Sequence, residues 1–187
     1  MFGQIKVFDN YVPDFVTEAI TKIVIGAETL TSETTNANGK LSFFLKIDGT
    51  SPGMVSLASP IFDVGAESNN FELRKAIHRL ATENTLNHPL LNGYSPYRSR
   101  IYFQFPMAAD RDHKSPHVNM RGPHVVALVY LNDSDGTTAF YNEDESLRME
   151  VEPKKNRLVI FDGSIKHGVG IPKHSPRMVL TYDLIAK

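Results

Sequence analysis

A chain of 187 residues, 41 % hydrophobic and 22 % charged, is long enough to bury one core of its own. Its formal net charge of −1 argues against a general nucleic-acid or membrane-surface binder, which needs a basic excess, and leaves room only for a local basic groove. The absence of cysteine excludes a disulfide framework, a thiol nucleophile and a thiolate zinc site. No apolar run reaches the length of a membrane span or a signal-peptide core, so a soluble, cytoplasmic protein (of a cell or an infected host) is expected.

Ile5 and Val7 alternate with polar neighbours and predict a short strand over residues 4–8. Pro13 and Asp14 read as a helix start, and Phe15, Val16, Ala19, Ile20, Ile23 and Val24 recur at helical spacing. The stretch from Thr29 to Lys40, rich in Thr, Ser, Asn and Gly, predicts an exposed loop. Strand character returns from Lys40 to Ile47, and Gly49 to Gly53 predicts a turn. Asn69 and Glu72 are spaced as a capping box for a second helix with Leu73, Ala76, Ile77, Leu80 and Ala81 on its apolar face. That helix ends by Asn87-His88-Pro89.

From Tyr97 the pattern becomes a series of short strands: 99–105, 125–131, 137–141, 147–151, 158–161 and 177–184. Such a series predicts a β-barrel or double-sheet jelly roll. The expected fold is α+β and mainly β. It is a single domain over 1–187, with N-terminal helical support over about 1–96 and a jelly-roll core over about 97–187.

The chemistry concentrates in two segments, SPHVNMRGPHVVALVYLNDSDGTTAFY (115–141) and RLVIFDGSIKHGV (157–169). In an extended chain, residues i and i+2 share a side, so His117 and Asn119 can face one centre, with His167 arriving from a strand end across the barrel. A non-haem iron site takes two imidazoles and a carboxylate on one face and leaves positions open for a keto acid and oxygen. Arg177 begins a strand whose alternate residues Val179 and Thr181 share its face, and a guanidinium there can pair bidentately with a carboxylate. The hydroxyl of Tyr130 could add a second bond to that carboxylate.

On these residues the chain resembles the 2-oxoglutarate/Fe(II)-dependent dioxygenases of the prolyl-4-hydroxylase-like superfamily, particularly the short versions seen in phages and marine microbes. The motifs are His117-Val118-Asn119, Tyr130-Leu131-Asn132, Gly136-Thr137 with Phe140, Pro153 with Arg157 and Phe161, then His167 and Arg177. They cover roughly residues 97–187. The resemblance implies a double-stranded β-helix, with Fe(II) and 2-oxoglutarate as cofactor and co-substrate and oxygen as the oxidant. It also implies a metal set of His117, Asn119 and His167, and Arg177 and Tyr130 on the tail carboxylate of the keto acid. The implied activity is hydroxylation of a C–H bond, with a prolyl or other peptide side chain as the default substrate.

One position departs from the pattern. Asn119 stands where the family has an acid, and a neutral carboxamide is a weaker donor to a divalent ion. Three readings stay open: Asn119 or water fills the third metal position, Asp110 or Asp112 substitutes, or the protein is a jelly-roll relative that binds a ligand or partner without turnover. A cupin-like enzyme with another metal is a further rival, disfavoured by the Tyr-Leu-Asn strand and the His-to-Arg spacing.

The remaining candidates read more plainly. His124 is expected as a polar strand end far from Tyr130, Asp133 to Gly136 as a hairpin turn, and Lys154, Lys155 and Lys166 as solvated charges. Arg98 and Arg100 alternate along a strand and are expected in solvent, with the lining of a substrate groove as the alternative.

Overall fold

The computed structural model describes residues 4–25, 28–30, 42–47, 55–65, 72–108 and 113–187. In chain order these form β1 (Ile5–Phe8), α1 (Asp14–Ile25), β2 (Glu28–Leu30), β3 (Ser42–Ile47), β4 (Val55–Asp63), α2 (Glu72–Thr85) and a short 3-10 turn, Pro89–Leu91. The C-terminal half follows as β5 (Tyr94–Gln104), β6 (Val125–Tyr130), β7 (Thr138–Tyr141), β8 (Leu147–Val151), β9 (Leu158–Asp162), β10 (His167–Val169) and β11 (Arg177–Ala186). An eight-stranded sheet runs β1-β9-β6-β11-β5-β4-β3-β2, and a three-stranded sheet runs β10-β7-β8. All pairings are antiparallel except β2 with β3.

The strand period of two decides what each face of the large sheet does. On β6, Val125, Ala127 and Val129 join the core under the helices, while Val126, Leu128 and Tyr130 join a second cluster facing the small sheet. On β11, Met178, Leu180, Tyr182 and Leu184 go to the helical side. Arg177, Val179 and Thr181 line the cavity between the sheets. Each strand is thus buried on both faces, which is why β6 and β9 read as continuous apolar runs. The result is the expected jelly roll with helices packed on one outer face.

The helices follow their patterns with a shift of face. In α1 the buried residues are Val16, Thr17, Ile20 and Val24, whereas Phe15 is 58 % exposed. The Thr17 hydroxyl is buried on this face and donates to Asn156 Oδ1 at 2.6 Å. In α2, Ile77 and Ala81 are buried as expected, and Ala76 is exposed.

The N-terminal half carries the two expected helices and the expected strands near residues 4–8 and 40–47, with β2 and β4 besides. β1 to β4 extend the large sheet, and β4, which has no clear sequence signature, pairs along β5. Thr29 and Leu30, expected in a loop, pair with Phe43 and Phe44. The turn at Gly49 to Gly53 and the cap at Asn69 lie outside the described residues.

Candidate functional site

A cavity of about 430 Å³ opens between the two sheets, and His117, Asn119, His167 and Arg177 all line it. His117 and His167 form an isolated antiparallel bridge, and their ring centroids lie 4.8 Å apart. Each ring is turned by its own main chain. His117 Nδ1 lies 3.1 Å from the Ser115 carbonyl and His167 Nδ1 lies 3.1 Å from the Ile165 carbonyl. A carbonyl can only accept, so each Nδ1 carries the proton and each Nε2 presents a lone pair.

At His167 this leaves a mismatch. Its Nε2 lies 3.2 Å from Asn119 Oδ1. The Asn119 amide cannot be turned the other way, because its Nδ2 donates to Asp183 Oδ1 at 2.8 Å. A neutral imidazole has one N–H and faces two oxygen acceptors here. Protonation would satisfy both, but burial, reinforced by His117, lowers the His167 pKa to about 4. Two lone pairs therefore converge with no proton between them, an arrangement that a cation completes. The donors are two imidazoles and one carboxamide oxygen. Among the described residues no group of three or more His, Cys, Asp or Glu is gathered for a metal. Asp110 and Asp112 lie outside the described residues.

Arg177 is the other unusual charge. It is 1 % exposed, and among the described residues no carboxylate pairs with it. Nη1 donates to Gln104 Oε1 and Nη2 to Thr138 Oγ1, both at 2.8 Å, while Nε has no partner. Its guanidinium carbon lies 5.5 Å from the centre of the Tyr130 ring. Burial lowers its pKa, and Tyr130 opposes that shift. A buried cation without a counter-ion is costly, and an anionic ligand in the cavity offsets that cost.

Tyr130 stands differently from the expectation. Its hydroxyl is 2.6 Å from Thr138 Oγ1 and donates to the Val151 carbonyl at 3.3 Å, and the residue is fully buried outside the cavity lining. Thr138 holds the lining position, with Tyr130 behind it. Sequence reading also passed over Gln104 and Lys114, which line the cavity from β5 and from the loop before His117. Neither sits in a recognisable motif, and only the strand pairing brings them in. Arg98 takes the groove-lining alternative to solvent exposure: it lines the cavity and pairs with Asp183, whereas Arg100 pairs with Asp63. His124 is 3 % exposed and packs against Gly163, where any Cβ would collide with its ring. Asp135, in the turn before β7, accepts the main-chain N–H groups of Lys173, His174 and Ser175 and so ties that turn to the loop leading into β11.

Residues 103–182 match the 2OG-Fe(II) oxygenase superfamily. No curated protein matches the chain by sequence. Among solved structures, a Pseudomonas putida prolyl-4-hydroxylase superposes with a TM-score of 0.59 at 16 % identity, covering 100 % of this chain and 94 % of that one. A viral collagen prolyl hydroxylase from Paramecium Bursaria Chlorella virus-1, in its 2OG complex, gives 0.56 at 11 % identity, covering 98 % and 96 %. A Trichoplax adhaerens prolyl hydroxylase in complex with a hypoxia inducible factor oxygen degradation domain peptide fragment gives 0.60 at 13 % identity, covering 99 % and 83 %. At these identities the structural likeness is one of fold.

Proposed function

From a jelly roll whose residues 103–182 match the 2OG-Fe(II) oxygenase superfamily, we propose that the chain is an Fe(II)- and 2-oxoglutarate-dependent oxygenase. The observation that carries the reading is one cavity with converging imidazole and carboxamide lone pairs at one end and a buried, uncompensated guanidinium at the other. Fe(II) and a dicarboxylic keto acid are complementary to those two ends.

His117, His167 and Asn119 would hold the metal. The tail carboxylate of 2-oxoglutarate would meet Arg177 and the Thr138 hydroxyl, while Gln104 orients the guanidinium and Tyr130 holds Thr138 from behind. When bound, Fe(II) couples decarboxylation of the keto acid to oxygen activation. Val126, Leu128, Phe161 and Val179 supply an apolar stretch of the cavity wall. A peptide prolyl side chain is the first substrate class to test, because prolyl hydroxylases are among the structures this fold resembles.

Anaerobic addition of Fe(II) and 2-oxoglutarate together should give a weak visible charge-transfer band. At 2-oxoglutarate near 100 times its Kd, binding adds about 2.7 kcal/mol, a rise in Tm of roughly 5–10 °C for a chain of this size. Absence of both the band and the 2-oxoglutarate-dependent shift would sink the reading.

A further inference from the structure

Asn119 is a weak ligand on its own, yet a carboxylate stands directly behind it. Asp183 is 3 % exposed and uses both oxygens: Oδ1 accepts from Asn119 Nδ2 at 2.8 Å, and Oδ2 accepts from Arg98 Nε at 2.8 Å. Arg98 Nη2 donates in turn to the main-chain carbonyl of Asn119 at 2.9 Å, which closes a ring of three residues. We propose that Asp183 is a positioning residue that acts through Asn119. It holds the carboxamide with its oxygen toward the metal, and it restores, one side chain further out, the negative charge that an acidic ligand would bring. The inference rests on the metal-binding reading above.

A carboxamide has a donor end and an acceptor end. Turned over, Asn119 would donate an N–H to His167 Nε2, satisfy the neutral ring and block the position a metal needs. Asp183 takes only donors, so it selects the one orientation in which Oδ1 faces His167.

Arg98 offsets Asp183, but its side chain is 28 % exposed and screened by water, whereas that of Asp183 is 4 % exposed. At the metal position the buried carboxylate therefore counts for more than the solvated guanidinium. Topology places it there: Asp183 pairs in register with Arg98 of β5 and Val126 of β6, six residues along β11 from Arg177. At about 3.3 Å per residue, one strand carries the keto-acid cation and the supporting acid some 20 Å apart.

The arrangement also explains why residue 119 is not an acid. An Asp there would set two carboxylates at the 2.8 Å now spanned by a hydrogen bond. Asn119 and Asp183 are thus complementary, and the acid belongs at one position or the other.

The test is anaerobic Co(II) titration of the full chain, following heat and the visible absorption that reports coordination. Asp183→Asn keeps an acceptor for Asn119 but removes the charge, and should weaken Co(II) binding about 10–100-fold. The exchange Asn119→Asp with Asp183→Asn keeps both the hydrogen bond and the charge count, and should return binding to the wild-type level or better. Asn119→Asp alone should gain less than the exchange. Wild-type affinity in Asp183→Asn, or an exchange no tighter than Asp183→Asn, overturns the proposal. If Asp183→Asn fails to fold, the comparison of the exchange with Asn119→Asp decides. Failure of the wild-type chain itself to bind Co(II) would remove the metal-binding reading, whereas wild-type binding indifferent to Asp183 removes this proposal alone.

Discussion

His117 and His167 exchange both main-chain hydrogen bonds, each N–H donating to the other's carbonyl at 2.9 Å. Two residues far apart in sequence are thereby held as a directly opposed pair, and their rings need not hold the loop in place. His117→Ala should therefore fold with a stability within about 0.5 kcal/mol of wild type. Its Co(II) affinity should fall by more than about 100-fold, since losing a ligand costs at least as much as losing its support. Calorimetric titration and a melting curve measure the two effects separately. Retained affinity would show that His117 does not bind the metal.

Arg177 offers an opposite signature. A buried cation without an anionic partner is a stability cost, and apolar replacement of buried charge is often neutral or stabilising by about 1–4 kcal/mol. Arg177→Met should therefore leave the melting temperature of the ligand-free chain unchanged or raise it, while abolishing the 2-oxoglutarate-dependent shift. Thr138 keeps the Tyr130 hydroxyl as a partner, which limits the loss on that side. A lower melting temperature with the keto-acid shift intact would make Arg177 a structural cation.

Legibility divides along the length of the contacts. β6, β8, β9 and β11 were readable because apolar runs and alternation are local, and His117, His167 and Arg177 because their spacing is carried by a β-rich core with short turns. β4 was not readable: Ser56, Ser59 and Pro60 interrupt its pattern, and pairing along β5 supplies what its own sequence lacks. Asp183 was invisible for the same reason. In sequence it is one acid in an apolar strand, and only the register of β11 against β5 and β6 brings it to Asn119. Tyr130 shows the same limit. The motif brings its ring to 5.5 Å from the Arg177 guanidinium carbon, but which of two neighbouring hydroxyls faces the cavity depends on packing, and Thr138 takes that position.

Gly168, between His167 and Val169 of β10, marks a close approach. A Cβ there would lie 2.6 Å from the Lys114 carbonyl and 3.2 Å from the Tyr141 ring. Lys114 N–H is bonded to the Val169 carbonyl at 2.8 Å, so the segment leading to His117 cannot move away without breaking that bond. Gly168→Ala should cost about 1–3 kcal/mol by overpacking and should also weaken Co(II) binding, because relief of the clash displaces the strand that presents one histidine from the loop that presents the other. Urea denaturation and Co(II) titration of the same variant test the two together. Destabilisation with unchanged affinity would show that the two histidines move as one body.

Asn156 joins the first helix to the jelly roll and does so in a left-handed conformation, φ 70°. Its carbonyl accepts from the Tyr11 and Val12 N–H groups, its Oδ1 from Thr17, and its Nδ2 donates to Asp14 at 2.8 Å. Alanine there loses both side-chain bonds, worth about 1–3 kcal/mol together, while the Thr17 hydroxyl keeps the Asp14 carbonyl at 3.1 Å. It also meets the penalty of the left-handed region, about 1–2 kcal/mol for a residue with a Cβ. Glycine loses the same bonds without the penalty. Asn156→Ala should therefore be the less stable of the two by about 1 kcal/mol in urea denaturation, with both below wild type and with Co(II) affinity unchanged in each. Equal stabilities for the two variants would place the whole effect in the hydrogen bonds to α1 and none in the turn.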